Sequence, residues 1–161
     1  MRFTIISTPI GFLGSGRGGG VELTLNSLVS GLLKQNHNVN VIAPNNSNLS
    51  ESCRSANLFT VEGLEQKSWQ HQDYYTKTKI SEDSITSVML EKALSLVNNC
   101  DAILNLSYDF LPISKTLQVN YPIAHLISMG DESQEINNII SEVYSCYPNN
   151  FAFHSRAQAS D

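Results

Sequence analysis

The sequence contains few groups that would attract a nucleic acid or a metal ion. Its 161 residues carry 10 Lys and Arg against 15 Asp and Glu, a formal net charge of −5, and the basic residues form no cluster. A nucleic-acid partner is therefore not expected, because such partners bind basic patches. The three cysteines are widely spaced and form no Cys-x-x-Cys pair, which predicts free thiols and no metal site.

A long apolar run is also lacking. No stretch approaches the roughly 20 apolar residues that cross a bilayer. The first residues, Met1 to Ile6, lead directly into a strand pattern and show no signal-peptide features. We therefore expect a cytoplasmic protein without an integral membrane segment. The chain length and a hydrophobic content of 41% predict one domain with its own core.

Short apolar runs alternate with helical patterns along the chain. The patterns predict strands at 3–8, 39–43, 58–61, 101–106, 123–127 and 151–154, and helices at 21–35, 81–97, 109–117 and 133–144. Strands that are apolar throughout, with amphipathic helices between them, indicate a parallel sheet covered on both faces. We predict an α/β fold of the doubly wound, Rossmann-like type. The polar segment 62–79, which contains Trp69, is predicted to be an irregular excursion over the surface.

A glycine-rich loop follows the first predicted strand, with glycines at positions 11, 14, 16, 18, 19 and 20. In doubly wound folds, ligands bind beside this loop, and the N-terminus of the next helix offers free N–H groups to an anion. We therefore predict that Gly18, Gly19 and Gly20, directly before the helix, line a ligand site. The alternative is a mobile loop whose glycines only permit a tight turn.

The same glycines formally satisfy the Gly-x-Gly-x-x-Gly pattern of dinucleotide sites, from Gly14 to Gly19. Five residues separate Thr8 from Gly14, however, whereas the first glycine of that pattern should follow the strand closely. The second strand ends in Ala43-Pro44, where a ribose-binding acid would be required. A nicotinamide-dependent oxidoreductase is thus a disfavoured alternative, and the absence of a following Gly-Lys-Ser/Thr excludes a P-loop.

Several stretches, taken in order, resemble the start of family-4 retaining glycosyltransferases of the GT-B fold. They are Ser7-Thr8-Pro9, Gly19-Gly20-Val21-Glu22, Asn36-His37-Asn38-Val39, Cys100 to Asn105, and Tyr121-Pro122-Ile123-Ala124-His125, the family's Pro-x-x-x-His strand. The loop and first helix are also similar to cyanobacterial members described as glucosyltransferases for tetrahydrobiopterin. Asn36 replaces a usual glycine, and asparagine is the next-best residue for a left-handed helix cap.

The resemblance implies that residues 1–161 form the N-terminal, acceptor-side domain of a GT-B architecture and that the C-terminal donor-binding domain is absent. It implies transfer of a sugar, expected to be glucose, from a UDP-sugar to a small acceptor such as a pterin, without a cofactor or metal. This domain alone is expected to be inactive or nearly so. The alternative is a non-catalytic Rossmann-like module that binds a ligand or a partner protein.

The resemblance also assigns roles to individual residues. The residues that would bind the donor diphosphate are Gly18, Gly19, Gly20 and Glu22. Backbone N–H groups there would help the diphosphate to leave. His125 would lie near the transferred sugar as a catalytic hydrogen-bonding group; its alternative is a satisfied core histidine. The acceptor-side candidates are Phe12, Arg17, Tyr108, Asp109, Met129 and Gly130. Asp109 could equally be the N-cap of the next helix, and Arg17 a solvated loop residue.

Overall fold

The computed structural model describes residues 1–160 of the chain. Its strands are β1 (Arg2–Ile6), β2 (Asn38–Pro44), β3 (Asn57–Val61), β4 (Ala102–Asn105), β5 (Ile123–Ile127) and β6 (Phe151–Phe153). Its α-helices are α1 (Gly20–Lys34), α2 (Ile85–Ser95), α3 (Phe110–Lys115) and α4 (Gln134–Cys146). Single 3-10 turns occur at Glu51–Cys53, Trp69–His71, Val97–Asn99 and Pro148–Asn150.

The six strands form one sheet in the order β3-β2-β1-β4-β5-β6, and every neighbouring pair is parallel. The chain builds one half of the sheet outward from β1 to β3, then returns to the other side of β1 and builds outward to β6. This reversal creates a topological switch point between β1 and β4, at the carboxyl ends of the strands. The predicted doubly wound, Rossmann-like α/β fold is confirmed.

The core lies on both faces of this sheet. Ile5 and Ile6, neighbours in β1, are both fully buried but belong to separate apolar clusters, because successive strand side chains point to opposite faces. Ile5 packs with Leu25 and Val29 of α1, and Ile6 packs with Met89 of α2. A third cluster joins the ends of β5 and β6 to α3 and α4. Burial on both faces explains why consecutive positions such as Ile5 and Ile6 of β1, or Val41 and Ile42 of β2, are apolar.

The ends of the helices follow the local sequence. Ser84, Asp109 and Ser133 are the N-caps of α2, α3 and α4, and each side chain accepts a hydrogen bond from a backbone N–H of the first turn. After α1, Asn36 has a φ of 59°, and the N–H groups of Asn36 and His37 donate to the carbonyls of Leu33 and Leu32. This is a Schellman ending, and it confirms asparagine as the left-handed cap.

Most element boundaries differ from the sequence patterns by one or more residues, and α2, predicted at 81–97, spans Ile85–Ser95. β1 ends at Ile6, because Ser7 and Thr8 already belong to the loop although both are buried. The segment 62–79 is irregular apart from one 3-10 turn, as predicted, but it does more than cross the surface. Trp69 is buried and packs in the cluster formed with α3 and α4. The excursion is therefore anchored in the core by its largest apolar side chain.

Candidate functional site

The glycine-rich loop runs from the end of β1 to the start of α1. Gly19, the N-cap residue of α1, has a φ of 55°, a left-handed conformation that favours glycine. Gly18 is required for another reason, since a Cβ there would lie 2.8 Å from Thr8 Cγ2 and 2.9 Å from Glu22 Cγ. At least these two glycines are therefore needed for the loop's shape, whatever ligand it binds.

The side chain of Glu22 lies inside this loop. Its carboxylate is buried, with 8% of the residue exposed, and accepts hydrogen bonds from the N–H groups of Gly14 at 2.8 Å and Gly18 at 2.9 Å. Two N–H groups that an anionic ligand could use are thus occupied by the protein's own carboxylate. The donor-binding role predicted for Glu22 is not supported by this position, because the carboxylate organises the loop and does not line the cleft described next.

A cleft of about 360 Å³, here called the glycine cleft, lies between this loop and the ends of β5 and β6. Its walls include the three predicted glycines on one side, with Ser128, Met129 and His154 on the other. The N–H groups of Val21 and Glu22 donate to carbonyls of the preceding turn, whereas that of Gly20 has no acceptor within residues 1–160. This free donor and the positive end of the α1 dipole favour an anion in the cleft.

Arg17 stands at the mouth of the glycine cleft. Its guanidinium lies 3.5 Å from Glu65 of the surface excursion, and both side chains are more than half exposed. An exposed pair of this kind contributes little to stability. Arg17 is therefore able to exchange Glu65 for a ligand anion at low cost.

His125 lies in the core beneath the sheet edge. The ring is 1% exposed, Nδ1 lies 3.1 Å from Asn105 Nδ2, and Nε2 lies 2.8 Å from Thr116 Oγ1. Because the amide nitrogen of Asn105 can only donate, Nδ1 of His125 accepts, and Nε2 carries the proton of a neutral ring. Burial lowers the pKa of His125 to about 4, which keeps the ring neutral at physiological pH. This geometry matches the alternative stated above, a core histidine whose two ring nitrogens both have partners. The ring does not line the glycine cleft, where a residue that contacts the transferred sugar would have to lie.

The acceptor-side candidates are divided among three places. Tyr108, Met129 and Gly130 line a groove of about 240 Å³ along α4, here called the α4 groove. Burial raises the pKa of Tyr108 to about 12, and its hydroxyl donates to Asn137 at 3.0 Å. Phe12, 40% exposed, lies on another surface near Glu62, and Arg17 borders both this surface and the glycine cleft. Met129 is common to the α4 groove and the glycine cleft, so it joins those two sites.

Asp109 occupies the third place, a pocket of about 370 Å³ covered by the excursion and here called the inner pocket. One carboxylate oxygen caps α3 by accepting from Leu111 N–H at 3.2 Å, which confirms the cap alternative. The other oxygen accepts from the Gln66 amide, and Gln66 accepts in turn from the Thr86 hydroxyl at 2.8 Å. Burial raises the pKa of the Asp109 carboxyl, against the opposing effects of Gln66, Leu111 and the nearby Trp69 indole.

Three residues of the excursion that complete the inner pocket were not predicted as site residues from the sequence. Gln66, Trp69 and Thr78 all line it, although their segment carries no helical or strand pattern. One signal was present: the only tryptophan of the chain stands in a polar segment, which indicates an anchor more than an exposed loop.

Two further features bear on the class of site. Within the described residues, no group of three or more His, Cys, Asp or Glu side chains is placed to hold a metal ion. None of the helices in residues 1–160 has the length and apolar character needed to span a bilayer.

Comparison with known proteins does not assign the chain to a family. No protein-family model matches the chain, and no curated protein matches it. The resemblance to family-4 glycosyltransferases is thus a prediction from the sequence, and the fold and the clefts are what the structure adds to it.

Proposed function

We propose that this chain is the acceptor-side domain of a retaining glycosyltransferase with two Rossmann-like domains. When complete, the enzyme would transfer a sugar, expected to be glucose, from a UDP-sugar to a small acceptor such as a pterin. One observation carries the proposal: the glycine cleft lies at the carboxyl edge of a doubly wound sheet, with a free backbone donor at a helix N-terminus.

The chemistry of sugar transfer needs such a donor. As the bond between the sugar and the donor diphosphate breaks, negative charge develops on the departing phosphate oxygen. The Gly20 N–H and the positive end of α1 would stabilise that charge without having to reorganise. A Cβ at Gly19 or Gly20 would meet no atom within 4 Å, so both positions leave open space into which a phosphate could fit.

The other predicted residues take supporting roles in this proposal. Glu22 would hold the loop in shape, and His125 would brace β5 against β4 through Asn105, with which it is paired in the sheet. Met129, shared by the glycine cleft and the α4 groove, would separate the transferred sugar from the acceptor. None of these supporting roles requires a bound metal or cofactor.

A dinucleotide-dependent oxidoreductase receives less support. In a Gly-x-Gly-x-x-Gly site the loop N–H groups turn towards a pyrophosphate, but those of Gly14 and Gly18 donate to Glu22. β2 ends at Pro44 and is followed by Asn45, whose amide donates to Glu62 at 2.8 Å, so no acid stands at the end of that strand.

The test is sugar transfer by the complete product of the gene that encodes these residues. The protein is incubated with radiolabelled UDP-glucose and a reduced pterin, and the anomeric configuration of the product is determined. A labelled product with retained configuration, reduced by Gly20→Val but not by Gly31→Ala, would support the proposal. Gly31 is the matched control, because it also has open space around it but lies within α1, away from the cleft.

Three other results would contradict the proposal in distinguishable ways. Binding of NADH without transfer would favour the oxidoreductase. Binding of small ligands at the glycine cleft, with no transfer to any acceptor, would favour the non-catalytic module. Transfer that is unaffected by Gly20→Val would mean that the reaction takes place elsewhere on the protein.

A further inference from the structure

The crevice at the topological switch point, between the carboxyl ends of β1 and β4, is closed in this structure. In doubly wound folds, ligands bind in this crevice. Here the four residues that follow β4, at positions 106–109, are each at most 7% exposed. The space left beside them is a cavity of about 20 Å³, which has room for about one water molecule. The protein's own chain therefore fills the place where a ligand is expected.

The indole of Trp69 is the largest group that fills this crevice. It lines the small cavity together with Thr8, which follows β1, and with Leu106 and Tyr108, which follow β4. Trp69 is 4% exposed and packs in the same apolar cluster as Tyr108. It belongs to the irregular excursion and not to the strands that form the crevice. The crevice is thus closed by a side chain that a loop places there.

The segment that carries Trp69 has a narrow and fixed base. The Leu64 N–H donates to the Asp83 carbonyl at 2.7 Å, and the Ile85 N–H donates to the Leu64 carbonyl at 3.0 Å. Gly63 lies so close to the start of α2 that a Cβ there would be 2.7 Å from Ile85 Cα. These contacts, here called the neck, hold together the two ends of residues 65–80, here called the lid. The neck is therefore a hinge for the lid.

Trp69 is also the main attachment of the lid. Among residues 65–80 it is the only one that is buried, and every other is half-buried or exposed. The lid forms no α-helix and no strand, and its regular structure is the single 3-10 turn at Trp69–His71. Segments with few buried apolar contacts are those that open without unfolding the rest of a protein. Loss of one apolar contact, that of Trp69, would therefore release the lid from an intact sheet.

The polar contacts of the lid are few beyond its neck. Within residues 1–160, one backbone hydrogen bond joins it to the rest of the protein, from the Gln134 N–H to the Tyr74 carbonyl at 3.0 Å. Side-chain contacts include those of Gln66 with Asp109 and Thr86, Thr78 N–H with Glu135, Tyr74 with Asp131, Glu65 with Arg17, and Lys77 with Glu135. Water can replace most of these partners when the lid moves, so each contact retains the lid only weakly.

From this arrangement we propose that residues 65–80 form a lid that opens as one unit about the neck and withdraws Trp69 from the switch-point crevice. The structure described above is the closed form. Opening exposes the ends of β1 and β4 to a ligand. It also joins the glycine cleft to the inner pocket, because Ser68 and Trp69 form the partition between them. The proposal does not rest on sugar transfer, since any ligand of this crevice needs the same opening.

Native-state hydrogen exchange of the protein, followed by NMR, tests the lid without a ligand. The only tryptophan provides one indole N–H signal, which reports the crevice, and the Gln134 N–H reports the contact with Tyr74. The N–H groups of Leu64 and Ile85 report the neck. Trp69 and Gln134 should have protection factors at least 100-fold smaller than those of the neck, because they exchange through a local opening.

Two substitutions in the lid give a matched comparison. Trp69→Ala should lower the protection of the Gln134 N–H at least ten-fold, because both contacts break in the same opening. Tyr75→Ala also removes an aromatic side chain of the lid, but one that is 67% exposed, and should change this protection less than two-fold. If Trp69→Ala does not fold, Gln66→Ala, which loses the bond to Asp109, should lower it about three-fold or more.

The proposal fails on any of three results. One is equal protection of the Trp69 indole and the neck, which would mean that the lid opens only when the whole protein unfolds. Another is a Gln134 protection that neither Trp69→Ala nor Gln66→Ala lowers, or that Tyr75→Ala lowers equally. The third is a neck that exchanges as fast as the lid, so that no hinge exists. A pyrophosphate titration followed at the Gly20 N–H examines the glycine cleft separately, so the two proposals can fail independently.

Discussion

The Oε1 atom of Glu22 accepts the Gly18 N–H at 2.9 Å, and Gly18 has no side chain because a Cβ would lie 2.9 Å from Glu22 Cγ. The two residues are four positions apart. The Glu22 side chain leaves no room for a side chain at position 18, and the Gly18 N–H holds the Glu22 carboxylate in place. With the second bond, from Gly14 to Oε2, this pair closes the glycine-rich loop on itself before any ligand arrives. The loop is therefore a preorganised wall of the glycine cleft.

Removal of the Glu22 carboxylate should destabilise the fold. Glu22→Ala leaves two loop N–H groups without their acceptors, and we expect the free energy of unfolding to fall by about 2–4 kcal/mol, measured by urea denaturation. Glu22→Gln keeps one acceptor oxygen and should cost about half as much. Glu91→Ala, the same change on an exposed position of α2, should alter stability by less than about 0.5 kcal/mol. Equal effects at the two positions would show that the loop bonds contribute nothing.

Gly18 and Gly31 should respond to alanine in opposite directions. Gly18→Ala forces a methyl group against Thr8 and Glu22, and we expect a loss of about 1–3 kcal/mol. Gly31→Ala adds the methyl group to the interior of α1, where no atom lies within 4 Å, and should gain about 0.5–1 kcal/mol. Thermal unfolding of both variants and of the parent chain shows whether each substitution lowers or raises the stability. A neutral Gly18→Ala would mean that the loop shifts freely.

His125 should make the protein less stable in mild acid. Its pKa is about 4 when folded and 6.5 in the unfolded chain, so the unfolded state binds more protons between these values. The stability contributed by the neutral ring is complete above pH 6.5 and is lost as the pH falls towards 4, by about 3 kcal/mol in all. Urea denaturation across this range, compared with His125→Gln, isolates the histidine from the carboxyl groups. A constant difference between the two proteins would contradict the buried neutral ring.

The cap after α1 should tolerate glycine but not alanine. Asn36 has a φ of 59°, a conformation that asparagine and glycine adopt more readily than other residues. Asn36→Ala should lower the free energy of unfolding by about 1 kcal/mol, whereas Asn36→Gly should stay within about 0.5 kcal/mol of the parent. Chemical denaturation of both variants measures the free energy of unfolding. Equal losses in Asn36→Ala and Asn36→Gly would mean that the Asn36 side-chain amide, and not the left-handed backbone conformation, provides the stability.

The fold could be predicted because its signals are local. Apolar runs such as 39–43 and 123–127 each reveal a strand buried on both faces, and the residues between them show helical periodicity. Asn36 and Asp109 could be identified as caps because a cap depends on a few neighbouring residues. The strand order itself was not predicted, because right-handed crossovers are compatible with more than one order of a doubly wound sheet.

The site was less predictable because its geometry depends on residues far apart in the chain. Nothing near His125 indicates that Thr116 and Asn105 satisfy both ring nitrogens. The direction of the Glu22 side chain depends on the path of the whole loop. The inner pocket needs Gln66 and Asp109 together, 43 residues apart, and the irregular segment between β3 and α2 carries no periodicity that would reveal it.

The position of β1 at the centre of the sheet affects how the protein is made. During synthesis, β1 can pair with β2 as soon as residue 44 emerges, but its other edge waits for β4, at residues 102–105. Until then a nascent chain presents an open parallel strand edge that includes the apolar residues Ile5 and Ile6, both fully buried in the folded protein. Ribosome-bound chains that stop before β4 should therefore be the ones that recruit chaperones, and chains that include β4 should release them.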